Sequence, residues 1–152
     1  MKWTVEDLEK YVQAKEYIDT LIIPLIPFQL QNETTILNEA FQETVLRHST
    51  HQIEDELSGR VMLTPQYTYI KSSDLEDEVN RLNQWVTHLK EQPFKSVFFV
   101  TFDMQWKKVE QELEGHLIWL PIGKKADINS QEAKTVIHNQ VEQISEFIRM
   151  FW

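Results

Sequence analysis

Four apolar runs punctuate the chain, and between them the apolar residues recur at helical spacing. The first run, Asp19–Pro27, is nearly continuous and carries β-branched Ile22, Ile23 and Ile26, which suits a strand buried on both faces. Pro24 and Pro27 have no N–H to place in a ladder, so regular pairing is expected to end within this run. Val61-Met-Leu-Thr-Pro65 and Leu117-Ile-Trp-Leu-Pro121 repeat the pattern of an apolar run closed by proline, whereas Val97-Phe-Phe-Val-Thr-Phe-Asp103 closes on an aspartate. The second strand is expected over about 61–70, with Pro65 in its middle and the alternating tail Gln66-Tyr-Thr-Tyr69 as an edge extension.

The intervening stretches predict helices. Thr4 reads as an N-cap with Glu6 and Asp7 in the first turn, where the helix dipole favours acids. Val5, Leu8 and Val12 mark its inner stripe, and the helix is expected to end near Glu16. A second helix has the stripe Leu37, Phe41 and Val45. It falters over Arg47-His-Ser-Thr-His51 and resumes at Ile53 and Leu57, which predicts a kink or break. Ser58-Gly59 ends it. Ser73 with Glu76 reads as a capping box for the strongest amphipathic pattern, Leu75, Val79, Leu82, Trp85, Val86 and Leu89, closed by Pro93. Asp103 caps a helix with Trp106, Val109 and Leu113 inward, ended by Gly115. Asn129 with Glu132 reads as a further box, followed by Ala133, Ile137, Val141, Ile144, Ile148 and Phe151 in register.

Strands alternating with helices predict an α/β fold in three layers. We expect one domain over 1–152: a mostly parallel four-stranded sheet with helices on both faces, flavodoxin-like or Rossmann-like.

Composition narrows the function more than the fold. The chain has 24 acidic against 15 basic residues, a net charge of −9, and no basic tract longer than two lysines. Nucleic-acid affinity comes largely from displaced phosphate counterions, so no nucleic-acid partner is expected, and an anionic membrane surface is a poor partner for the same reason. No run approaches the roughly 20 apolar residues that span a bilayer, so no membrane insertion is expected. The first residues lack the apolar stretch of a signal peptide and there are no cysteines, which together point to the cytoplasm and remove thiolate nucleophiles and Cys-based metal sites.

In open α/β sheets ligands sit beyond the carboxyl ends of the strands. That rim collects Gln29, Asn32 and Glu33, then Gln66, Tyr67 and Tyr69, then Thr101, Asp103, Gln105 and Trp106, and finally Lys124, Lys125 and Asp127. Among these, Gln29, Asn32, Gln66, Tyr67, Tyr69, Thr101, Asp103, Trp106 and Lys124 form the candidate rim for a ligand or partner. The first turn, Pro27-Phe-Gln-Leu-Gln-Asn32, is bulky where phosphate-binding sheets keep glycines, and only three glycines occur in the chain. No cofactor is therefore expected. His48-x-x-His51 with Glu54 has a spacing that shares one helical face, but no HExxH pattern or cysteine accompanies it, so it reads as a polar helix turn and no metal is expected. No GxSxG elbow is present. Asp103 is the most suggestive acid, with helix capping as its first duty.

Taken together, Ala14–Pro27, Gly59–Tyr69 and Leu117–Pro121 give the chain its likeness: it resembles the YpiF-like family of small uncharacterised proteins from spore-forming Gram-positive bacteria. The resemblance carries no catalytic residue. It implies a cytoplasmic accessory partner for a respiratory complex, since relatives are encoded beside genes of the menaquinol–cytochrome c reductase branch. The leading expectation is a non-enzymatic binding or protein-interaction domain, with a protein partner or a small molecule at the strand carboxyl ends. The alternative is a small-molecule enzyme or degenerate nucleotide-sensing domain using the same rim. Oligomeric state stays open.

Overall fold

The computed structural model describes every residue, Met1–Trp152. Five strands form one all-parallel sheet: β1 (Thr20–Phe28), β2 (Val61–Leu63), β3 (Tyr67–Ile70), β4 (Ser96–Thr101) and β5 (His116–Trp119). β1 lies between β4 on one side and the pair β2 and β3 on the other, and β5 extends the sheet beyond β4. If β2 and β3 are taken as one interrupted strand, this is the flavodoxin-like order without its last strand. Five strands replace the expected four because the Thr64-Pro65-Gln66 segment divides the second.

The two prolines of β1 do not end it, contrary to the sequence expectation. Thr20 donates its N–H to Arg60 and Ile22 accepts from Thr64, so the even-numbered residues of β1 face the β2 side. Pro24 shares that direction, and its missing N–H falls where the edge strand itself is broken. Leu25 presents its carbonyl to β4, accepting from Thr101 Oγ1 at 3.1 Å, so Pro27 faces the β4 side, beyond the last β4 pairing at Leu25. Each proline therefore meets a gap in its neighbour, and β1 runs on to pair with β3 through Phe28.

Helices α1 (Val5–Gln13), α2 (Ile36–Glu56), α3 (Leu75–Leu89) and α4 (Gln131–Arg149) complete the layers. A long 3-10 segment, Met104–Glu112, stands where a helix was expected after β4, with Trp106 and Val109 buried on it and Asp103 capping it. Alternate residues of β1 feed two cores. Leu21, Ile23 and Leu25 pack with Val79, Leu82, Val86, Phe99 and Trp106 beneath α1, α3 and the 3-10 segment. Ile22 and Ile26 pack with Leu46, Ile53, Phe98, Ile137, Val141 and Ile148 beneath α2 and α4.

Several local expectations need correction. α1 ends at Gln13, before a short 3-10 turn, and Val5 and Val12 are exposed; Leu8 and Tyr11 are the residues that face the core. α2 is unbroken through Arg47–His51. Small Ser49 and Thr50 are buried there in place of apolar residues, and Thr50 returns its hydroxyl to the Arg47 carbonyl at 3.1 Å. Leu37 is exposed. The caps of α3 and α4 are Asp74 and Ser130, each one residue beyond the box expected; both are extended and accept a backbone N–H, whereas Ser73 turns its hydroxyl to Glu78. β5 stops at Trp119, two residues short of Pro121.

Two glycines are required by geometry. Gly59 has φ +95°, the left-handed ending expected after α2. At Gly115 a Cβ would stand 2.7 Å from the Phe99 ring and 2.8 Å from the Val97 carbonyl, so this position holds glycine for close approach to β4. The final turn folds back: Phe151 packs edge-on against Phe98, and Trp152 donates its indole N–H to Thr20 Oγ1 at 2.9 Å under the Arg60 guanidinium.

Candidate functional site

Two concave regions compete for the role of a site. At the carboxyl rim, between β1 and β4, a crevice of about 270 Å³ is lined by Pro27, Asn38, Glu39, Lys71, Phe102 and Asp103, among others. It sits where strand order reverses, the place fold analogy indicates.

Four of the rim residues form one hydrogen-bonded chain. Trp106 Nε1 donates to Tyr69 OH at 2.8 Å, Tyr69 donates to Asp103 Oδ2 at 2.6 Å, and Asp103 N donates to Thr101 Oγ1 at 3.0 Å. Asp103 Oδ1 accepts from Gln105 N at 3.0 Å, closing the cap. Trp106 and Thr101 are fully buried and Tyr69 nearly so. Burial pushes the Tyr69 hydroxyl far above its ordinary range, and the facing Asp103 carboxylate adds to the shift, so Tyr69 stays a donor.

The remaining rim residues fall into separate clusters. Tyr67, also buried, donates to Glu78 Oε2 at 2.7 Å; burial, then this bond, raises its hydroxyl as well, and Glu78 is paired with Arg81. Gln66 donates to Glu43 at 3.0 Å. Gln29 and Asn32 bond each other across their loop, and Gln29 reaches Glu39. Burial of Glu39 opposes its ionisation, but the bonds from Lys71 and Gln29 outweigh it and hold the carboxyl below its ordinary value. Lys124 stands exposed on the loop after β5 and makes no side-chain hydrogen bond, while its neighbour Lys125 donates its backbone N–H to Asn38 Oδ1 at 2.9 Å. His48 and His51 are exposed on α2, and Glu54 is buried against the Met1 amine and Lys2. No three His, Asp or Glu groups lie close enough to hold a metal ion.

The second region lies at β2, under α1 and α3. A groove of about 490 Å³ runs between α1, α3 and β2, walled by Trp3, Leu8, Tyr11, Met62, Trp85 and Leu89. Its floor includes Leu21 and Phe94, and Gln84, His88 and Gln92 stand along one margin. None of its 13 lining residues is Asp, Glu, Lys or Arg, in a chain where those four types make up 26%. Such neutrality in an acid-rich chain selects against charged occupants.

Pre-organisation distinguishes this groove. Trp3 is 68% exposed, yet its backbone neighbours are tied down. The Met1 amine donates to the Val61 carbonyl at 2.7 Å, Leu63 N donates to the Met1 carbonyl at 2.8 Å, and Lys2 N donates to Asp7 at 2.7 Å. Trp85 is held by an edge-on contact with Tyr67, ring centroids 5.2 Å apart, and Tyr11 stacks parallel to Phe94 at 6.5 Å. The rim inventory drawn from the sequence omits this region, since a concavity shared by two helices leaves no motif. Its one sequence trace is Trp85, which adjoins Val86 on the apolar stripe of α3 although 36% of it stays exposed.

No helix is long and apolar enough to cross a membrane. No solved structure matches the chain. Among known proteins, it is 27% identical to the uncharacterized protein YpiF of Bacillus subtilis, covering all of this chain and 98% of that one. A family model described as a protein of unknown function matches residues 9–152, and the chain therefore belongs to the DUF2487 family.

Proposed function

We propose that the chain is a non-enzymatic binding domain whose site is the groove between α1, α3 and β2. One observation carries this reading: this groove of about 490 Å³ is lined without a single Asp, Glu, Lys or Arg although the chain is strongly acidic. Its volume falls within the roughly 300–1,000 Å³ of small-molecule sites, which are mostly apolar with a few convergent polar groups. The polar side chains of the carboxyl rim, in contrast, bond chiefly to one another. A cytoplasmic location belongs to the same proposal and is supported by the cysteine-free composition.

A second reading keeps the rim as a site for a polar metabolite or nucleotide, and the crevice beside Glu39, Lys71 and Asp103 favours it. A thermal-shift panel of neutral aromatic compounds, aliphatic alcohols, phosphorylated sugars and nucleotides separates the two. A ligand at 100 times its Kd stabilises by ~2.7 kcal/mol, a shift of several degrees for a domain of this size. Shifts confined to neutral compounds support the groove. A nucleotide or sugar-phosphate shift abolished by Asp103→Asn would transfer the function to the rim.

A further inference from the structure

We infer that the groove takes a small, uncharged molecule carrying a flat aromatic ring, which is held against the indoles of Trp3 and Trp85, with a polar substituent directed to the margin formed by Gln84, His88 and Gln92. This deepens the binding reading above and rests on it. The wall residues select the ring. Trp3 and Trp85 are both exposed, the first on a backbone segment bonded to β2 and α1, the second with its ring braced edge-on by Tyr67. Exposed indoles offer π-faces whose stacking with a ring favours offset or edge-to-face geometry, a preference that a flexible alkyl chain cannot satisfy. Because the Trp3 backbone and the Trp85 ring are already held, binding has chiefly the Trp3 side chain left to order.

The margin selects the substituent. Gln84 and His88, four residues apart, share one side of α3, and Gln92, in the turn just beyond the helix, lines the groove with them. Each glutamine amide both donates and accepts, and imidazole offers a donor and an acceptor in its neutral form, so a hydroxyl or carbonyl finds a partner anywhere along the row. A carboxylate or phosphate would find no lysine or arginine in the lining to compensate its desolvation.

The probes are 2-naphthol, a neutral ring with a hydroxyl, and 1-octanol, a neutral chain with a hydroxyl. Each is titrated into the full chain and into the variant Trp3→Leu, which keeps an apolar wall without an indole, and dissociation constants are read by ligand-observed NMR. The expected result is that 2-naphthol binds more tightly than 1-octanol and loses its affinity tenfold or more in Trp3→Leu, while 1-octanol changes less than threefold. A 2-naphthol affinity unchanged in Trp3→Leu, or octanol binding more tightly than naphthol, overturns the ring clamp and leaves the groove itself as a binding site. If neither probe binds the wild-type chain, the groove reading fails along with the clamp. Far-ultraviolet circular dichroism of the variant keeps a folding defect from passing as lost binding.

Discussion

The carboxyl rim and the α1–α3 groove both collect tryptophan and tyrosine, yet they use them in opposite ways. At the rim, Trp106 is fully buried, its indole N–H bonded to Tyr69, whose hydroxyl is in turn bonded to Asp103. In the groove, Trp3 and Trp85 make no side-chain hydrogen bond, and Trp3 leaves most and Trp85 about a third of its surface in solvent. Polar atoms engaged by one another rigidify a fold, because each would cost desolvation if left alone. Exposed rings on pinned backbone keep their free energy in reserve for a partner. Residue type alone therefore does not mark a site in this molecule; the state of its polar atoms does.

The sharpest way to break that contrast is at Trp106. Trp106→Ala should cost ~3–5 kcal/mol, the price of a large fully buried side chain, seen as a lowered urea midpoint with little change in slope. A loss below 1 kcal/mol would mean that the rim network does not hold the fold. Tyr69→Phe is milder. It keeps the ring but strands Asp103 Oδ2 and the Trp106 N–H, for an expected loss of about 1–3 kcal/mol in the same measurement.

Acid titration sharpens the comparison from the charged side. Asp19 is buried, which opposes ionisation, but bonds from Arg60 and Thr20 and the charges of Arg60 and Lys95 hold its carboxyl below the ordinary 3.8; Glu39 is lowered from 4.5. Carboxyls depressed in the fold contribute stability that is complete above their ordinary values and disappears as pH falls through the folded ones. The urea midpoint should therefore fall below about pH 4.5, and the fall should be shallower in Asp19→Asn combined with Glu39→Gln; an identical acid limb in that variant would contradict the assignment. Smallest of all is the effect of Trp3→Leu on stability, expected within about 0.5 kcal/mol because the side chain is largely in solvent.

How far the sequence discloses all this differs by region. The parallel sheet was legible because most of its strands are bounded apolar runs, and β4, Ser96–Thr101, falls on the run that closes at Asp103. Proline placement was only half legible. Pro65 divides the edge strand as its chemistry requires, but Pro24 and Pro27 are accommodated because neighbouring strands stop opposite them, and strand ends elsewhere in the chain cannot be read from β1. The Asp103 cap was legible from its position alone, whereas its bond to Tyr69 spans 34 residues and no local pattern encodes it. The stripe of α1 was misread because Val5 and Val12 suit the periodicity as well as Tyr11 does, and only the packed neighbour, Phe94, decides between them. The groove was invisible for a related reason: it exists between elements.

The five tryptophans provide the direct test, since each indole N–H gives its own signal in a ¹⁵N–¹H correlation spectrum and they are distributed over distinct regions. Trp3 and Trp85 report the groove, Trp106 the rim network, Trp119 the neighbourhood of Lys107, and Trp152 the far end beside Arg60. On titration with 2-naphthol, the Trp3 and Trp85 signals should move progressively to saturation while Trp106, Trp119 and Trp152 stay in place. Movement of Trp106 with Trp3 and Trp85 stationary would contradict the account and return the site to the carboxyl rim.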